Sequence, residues 1–107
     1  MERVTRINML IDMLKKESED EFLNYALALE YATDLNSAGE AEHLFKKVIH
    51  KNEDYIAAYY QLGKLLESTL RKNEALDAYK RGLDKATLKK DHKAINELGE
   101  AIFLLED

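Results

Sequence analysis

Apolar residues recur along this chain at spacings of three and four, and short polar stretches separate the runs. That period puts apolar side chains on one helical face, so each run predicts an amphipathic α-helix rather than a strand. Val4, Ile7, Leu10, Ile11 and Leu14 define a first helix from about Glu2 to Lys16. Polar Glu17–Asp20 ends it, and Asp20 is placed to cap a second helix over Phe22–Asn36. The second helix is apolar on more than one face, from Phe22, Leu23 and Tyr25 through Leu29, Tyr31 and Ala32, which predicts packing on two sides. Ser37-Ala38-Gly39-Glu40 reads as a capping box, with Ser37 as N-cap and Glu40 reaching back. It opens a third helix to about Lys51, striped by Ala41, Leu44, Phe45, Val48 and Ile49. Two more helices follow over about Tyr55–Thr69 and Lys72–Leu88, the latter with Asp77 and Arg81 at the spacing of an i,i+4 ion pair. Asp91 then caps a last helix bearing Ala94, Ile95, Leu98, Ile102, Phe103 and Leu105.

The pattern repeats. A shift of 35 carries Tyr25 onto Tyr60, Leu27 onto Leu62, Ala28 onto Gly63 and Tyr31 onto Leu66. A shift of 34 carries Glu40-Ala41 onto Glu74-Ala75, Phe45 onto Tyr79 and Ile49 onto Leu83. The one-residue difference falls in the turn at Asp34–Ala38, where an insertion is cheapest. The flanks echo the same unit. Shifted by 35, Leu10, Met13 and Leu14 fall on Phe45, Val48 and Ile49; shifted by 36, Leu62-Gly63 and Leu66 fall on Leu98-Gly99 and Ile102. The chain therefore reads as one domain: an N-terminal half-unit helix (1–19), two whole units (20–53 and 54–90) and a C-terminal capping helix (91–107).

Gly63 and Gly99 lie inside helical patterns, where glycine costs about 1 kcal/mol relative to alanine. Close approach of a neighbouring helix backbone is the expected compensation, with Ala28 and Ala41 serving the same purpose elsewhere, beside Tyr79 and Phe45.

These residues resemble the tetratricopeptide repeat, a helix–turn–helix unit of 34 residues. The second unit matches its pattern at Tyr59, Leu62-Gly63 and Leu66, then at Ala75 and Tyr79. The first matches at Leu27-Ala28, Tyr31, Ala41 and Phe45, with Asn24 in the first aromatic slot and Tyr25 beside it. Glu53 and Thr87 stand where the family's closing proline belongs. The resemblance covers essentially the whole chain. It implies an all-α, right-handed superhelix of about six antiparallel helices, with terminal half-units as partial caps.

It also implies a function: a non-enzymatic protein-interaction module holding a peptide or helix in a concave groove lined by first helices. Projected onto this chain, the groove residues are Phe22, Tyr25 and Leu29 from one unit, Tyr60, Lys64 and Glu67 from the next, and Asn96 and Glu100 from the last helix. Ala32, Ala57, Lys93 and Phe103 fall on the same projected face. Some family members grip a C-terminal carboxylate with Lys and Asn. Tyr25 and Leu29 stand at those positions here, so an apolar, aromatic groove with Lys64 at its centre is the expectation. It suits an extended or helical segment with aliphatic anchors. The alternative is a homo-oligomerising scaffold, because two whole units leave much end surface.

Composition narrows the classes. The 107 residues include no cysteine and no proline, so neither disulfides nor a Cys-based zinc site is available. No run approaches the ~20 apolar residues of a membrane span, and no signal-peptide core follows the N-terminus; a cytoplasmic protein is the default. The formal net charge of −5 disfavours bulk nucleic-acid binding. Charge is uneven: Glu17–Glu42 holds eight acidic residues and no Lys or Arg, whereas Lys80–Lys93 holds six basic residues against Asp84 and Asp91. Most of this reads as solvated helix face, with partner steering or oriented self-association as the sharper reading. No aromatic follows Tyr79 inside the basic stretch, so stacking platforms for single strands are lacking.

Chemistry is sparse. Glu40-Ala41-Glu42-His43 has the Glu-x-x-His spacing of di-iron bundles, but no second copy accompanies it. His43 and His50 share a face about 10.5 Å apart along the helix, too far for one ion. Ser18, Ser37 and Ser68 each read as a loop, cap or helix-end residue, and no nucleophile–base set or glycine-rich phosphate loop occurs. The expectation is no catalytic residue, no metal and no cofactor.

Overall fold

A computed structural model describes residues 2–106. Six α-helices and no strand occur among the described residues: α1 (Arg3–Lys16), α2 (Glu21–Tyr31), α3 (Ala38–Lys51), α4 (Ile56–Ser68), α5 (Lys72–Lys89) and α6 (His92–Leu105). The fold is all-α, as the periodicity predicts. The chain forms two compact units, Met1–Asn52 and Glu53–Asp107.

In the first unit α2 packs between α1 and α3. The Asp20 carboxylate accepts from the Leu23 amide at 2.8 Å and so caps α2 as expected. Ala28, Ala41 and Phe45 are fully buried at the α2–α3 seam, and Tyr25 meets Phe45 with ring centroids 6.0 Å apart. In the second unit α5 packs against both α4 and α6. Tyr59 and Tyr79 are its largest buried side chains, and Tyr60 meets Tyr79 at the same 6.0 Å. Burying each such ring contributes about 1.5–3 kcal/mol. The two aromatic contacts are related by the same shifts as the sequence: 25 to 60 and 45 to 79.

A second equivalence is polar. The Asn24 side-chain amide, 3% exposed, donates to the carbonyls of Ser18 (3.0 Å) and Asp20 (2.8 Å). Tyr59, 35 positions on, donates its hydroxyl to the Glu53 carbonyl at 2.8 Å, and 53 is also 35 after 18. The aromatic slot is thus filled in the first unit by an amide doing the same job: tying the helix to the loop six residues upstream. The Ser18 carbonyl gains a partner this way, while the Asp20 carbonyl also takes the Asn24 backbone amide of α2.

Four expectations need correction. The second helix stops at Tyr31 rather than Asn36, followed by a single 3-10 turn at Leu35–Ser37. Thr33 donates to the Glu30 carbonyl and Asp34 accepts from the Asn36 amide, so short polar side chains take over backbone groups the helix needed. Ser37 does stand at the N-cap of α3, but its side chain makes no capping bond. Instead Ser37 Oγ lies 2.6 Å from the Tyr31 carbonyl and accepts from the Arg3 guanidinium at 3.1 Å, fastening α1 to the α2–α3 turn.

The third correction concerns Arg81, which forms no ion pair with Asp77 among the described residues; its guanidinium lies 5.5 Å over the Tyr59 ring. A cation–π contact at an exposed site, worth about 0.5–1 kcal/mol, outweighs an exposed ion pair worth a few tenths of a kcal/mol. The fourth concerns the glycines. A Cβ on Gly63 would drive into the Tyr79 ring, so the close approach is real but is made by a side chain, not a backbone. At Gly99 a Cβ would meet nothing within 4 Å. The second crowded glycine is instead Gly82, where a Cβ would lie 2.7 Å from Tyr59 Cβ.

Candidate functional site

The projected groove residues separate into distinct surroundings. In the first unit Phe22 and Leu29 line an apolar hollow of about 430 Å³ between α1 and α2, with Met9, Leu10 and Met13 on the opposite wall. Phe22 is 66% exposed and Met13 52%, so this wall is open to solvent. Arg6 and Glu30 pair at its margin at 2.5 Å. That carboxylate holds the Arg6 guanidinium above its ordinary pKa, chiefly through the hydrogen bond. Tyr25 does not line this hollow; it is turned against Phe45 on α3.

In the second unit Tyr60 lines a smaller hollow of about 250 Å³ between α4 and α6, with Ala57, Gln61, Lys93 and Glu97. The Lys64 ammonium stands 5.6 Å from the Tyr60 ring centroid, a cation–π contact on an exposed face. Glu67 is already engaged: its carboxylate accepts the Tyr79 hydroxyl proton. Burial first, and that hydrogen bond second, push the Tyr79 phenol well above its usual pKa. Asn96 and Glu100 are exposed on α6 and lie outside the lining of this hollow. The structure therefore brings together Phe22 with Leu29, and Tyr60 with Lys64. It does not place Tyr25, Glu67, Asn96 or Glu100 in either hollow.

Three contributors were missed in the sequence: Met9, Met13 and Glu97. Met9 and Met13 supply the α1 wall, and their signal was present: α1 is apolar over a wider arc than one packed stripe requires. Glu97 lines the second hollow one position along from the projected Asn96, about 100° round α6, because packing against its neighbours sets the face α6 presents.

The basic stretch is partly neutralised within its own unit. Lys80 pairs with Glu106 at 3.2 Å, Lys89 with Asp54 at 3.4 Å and Lys85 with Glu53 at 3.9 Å. No group of three or more acidic or histidine side chains suited to a metal occurs among the described residues, and no helix there is long and apolar enough to cross a membrane. His43 lies in an open depression of α2 and α3 with Leu27, Tyr31 and Glu40.

Solved structures place this architecture. A tetratricopeptide repeat domain protein of Salinibacter ruber, determined in solution by NMR, is 36% identical over 81% of this chain and 87% of that one, with a TM-score of 0.76. This chain belongs to the tetratricopeptide repeat family. A crystal structure of a tetratricopeptide repeat domain protein from the same organism agrees, at 35% identity, 80% and 94% coverage and a TM-score of 0.73. A Bordetella parapertussis protein, 23% identical with a TM-score of 0.81 over 92% of this chain and 85% of that one, shares the fold. No family profile matches the chain, and no curated protein does. Tetratricopeptide repeats are in general protein-interaction modules, and that broad role is the one the family supports here.

Proposed function

We propose that this tetratricopeptide repeat protein is a non-enzymatic interaction module that binds a peptide or a helical segment on the exposed faces of its first helices, α2 in one unit and α4 with α6 in the other. Its site is apolar and aromatic rather than a carboxylate clamp. The observation that carries this reading is Tyr60, which is half-buried yet lines the α4–α6 hollow with Lys64 poised over its ring. Supporting it, Phe22 and Leu29 leave an apolar hollow open at α2, where an aliphatic or aromatic anchor loses water without displacing protein side chains. Protein is the proposed partner class. The unit-internal pairing of Lys80, Lys85 and Lys89 lowers the cationic character that a phosphate backbone needs.

Selection from a displayed peptide library tests it. Enriched peptides are expected to carry apolar anchors, and Tyr60→Ala is expected to weaken them by more than about 1 kcal/mol, as truncation of a hot spot does. If no peptide enriches, or if the selected peptides bind Tyr60→Ala with an unchanged Kd while its circular dichroism is native, the reading fails.

A further inference from the structure

The apolar hollow of the first unit has the shape of a missing helix, and the second unit supplies the template. There α4 packs on α5 and also touches α6. By the repeat shifts, α1 corresponds to α5 and α2 to α6: Leu10 to Phe45 to Tyr79, and Phe22 to Ala57 to Lys93. On α6, Lys93, Ala94 and Glu97 line the hollow shared with α4. Their equivalents on α2 are Phe22, Leu23 and Ala26, three of the residues lining the open hollow beside α1. The first unit thus has the two walls of the arrangement, and among the described residues no helix there is equivalent to α4.

The same chain has a helix of the α4 type whose second wall is not among the described residues. α6 matches α4 at Leu98-Gly99 and Ile102, and among the described residues no helix takes beside it the position that α5 takes beside α4. Gly63 on α4 receives the Tyr79 ring, whereas the equivalent Gly99 is open, an interior-helix glycine with no occupant. Phe103 and Leu104 beside it are 79% and 73% exposed.

We propose that α6 of one molecule seats in the α1–α2 hollow of a second copy, completing across the junction the unit that each end carries as a half. In this docking Leu10 takes the place of Tyr79 against Gly99, and Met13 that of Gly82 against Ile95. The polar pair of the internal hairpin, Glu67 with the Tyr79 hydroxyl, becomes the apolar pair Phe103 with Leu10, so hydroxyl and carboxylate are lost together. Charge is complementary as well. α1 and its N-cap carry Arg3, Arg6, Lys15 and Lys16 against Glu2 and Asp12, with Arg6 paired to Glu30 and Lys15 to Asp12. α6 and the residue that ends it carry Glu97, Glu100 and Glu106 against Lys93, with Glu106 paired to Lys80. The contact is heterologous, so assembly runs head to tail.

This deepens the interaction-module reading by naming the partner of one hollow, and it leaves the Tyr60 face aside. The experiment uses the full chain in sedimentation velocity over about a hundredfold range of concentration. The wild type is expected to grow from monomer to larger species with concentration. Met13→Glu blocks the hollow and Phe103→Glu blocks the helix; both side chains are exposed, and native circular dichroism is expected for each. Each variant alone is expected to associate at least about tenfold more weakly. Mixed together they should form a one-to-one dimer and stop, since the mixture holds one intact hollow and one intact helix per pair. A wild type that stays monomeric, variants that assemble like the wild type, or a mixture that forms no dimer would each overturn the proposal. Peptide selection at Tyr60 reports separately, so a failure here does not mimic a failure there.

Discussion

Gly63, Gly82 and Gly99 are alike in chemistry and opposite in consequence. The first two lie under aromatic rings, Tyr79 and Tyr59, that are themselves almost wholly buried and have nowhere to go. Gly63→Ala and Gly82→Ala are each expected to cost about 1–3 kcal/mol through overpacking, although alanine is the better helix former. Gly99→Ala meets open space in the isolated chain and is expected to stabilise it by about 1 kcal/mol. Urea unfolding of the three variants, at concentrations where the protein is monomeric, checks the reversal of sign. Tyr79 carries a pH signature. Its phenol pKa lies above the usual 10.0 because burial and the Glu67 carboxylate both oppose ionisation. The unfolded chain releases this proton near the ordinary value while the folded chain keeps it. The associated stability is therefore fully present below that pH and declines above it, by at most about 1.4 kcal/mol per pH unit. Tyr59, shifted the same way by burial, adds to the decline. Thermal unfolding between about pH 9 and 12 should show it, with a shallower slope for Tyr79→Phe.

Helix ends show how far local signals reach. Asp20 and Asp91 cap α2 and α6 as their types predict, because an N-cap needs only its own side chain and an amide three residues on. Ser37 looks equally suited, yet its hydroxyl is drawn to the Tyr31 carbonyl and Arg3. Arg3 is 34 positions away in sequence, and no local pattern announces it. The C-termini of α4 and α5 carry the opposite lesson. Both close with a left-handed residue, Leu70 at φ 62° and Lys90 at φ 57°, and with an amide reaching back past the last turn, Arg71 to Leu66 and Asp91 to Ala86. Glycine is the usual occupant of such a position, since any Cβ there costs about 1 kcal/mol or more. Leu70 is almost fully exposed and has little packing to lose. Leu70→Gly is expected to raise the stability by about 1 kcal/mol, and a fall in Tm would show that the leucine has a contact outside the unit.

Each unit of the molecule leaves part of its apolar face uncovered. In the first unit α1 and α2 hold the α1–α2 hollow open; in the second, α6 shows Phe103, Leu104 and an unfilled Gly99. An interaction module needs such faces, and a helical repeat unit produces them because it buries its stripe only against a neighbour. The proposed head-to-tail seating of α6 would relieve both at once. It also predicts a Tm that rises with protein concentration, as any association restricted to the folded state requires, and that loses this dependence in Phe103→Glu.

The helical period, the polar breaks between helices and the shifts of 34 to 36 were legible in the residues alone, because each depends on neighbours within a turn or on a pattern compared with itself. So was the family, through Leu62-Gly63, Ala75 and Tyr79. The candidate site was only half legible. Phe22 with Leu29 and Tyr60 with Lys64 emerged from helical projection, while the α1 wall and Glu97 depended on how adjacent helices rotate against each other. Which glycine is a socket, what Ser37 and Arg81 bind, and which apolar residues stay uncovered were decided by tertiary structure. Those outcomes turn on side chains brought together from more than twenty positions apart or from the facing helix, and a one-dimensional period holds no information about which partner arrives.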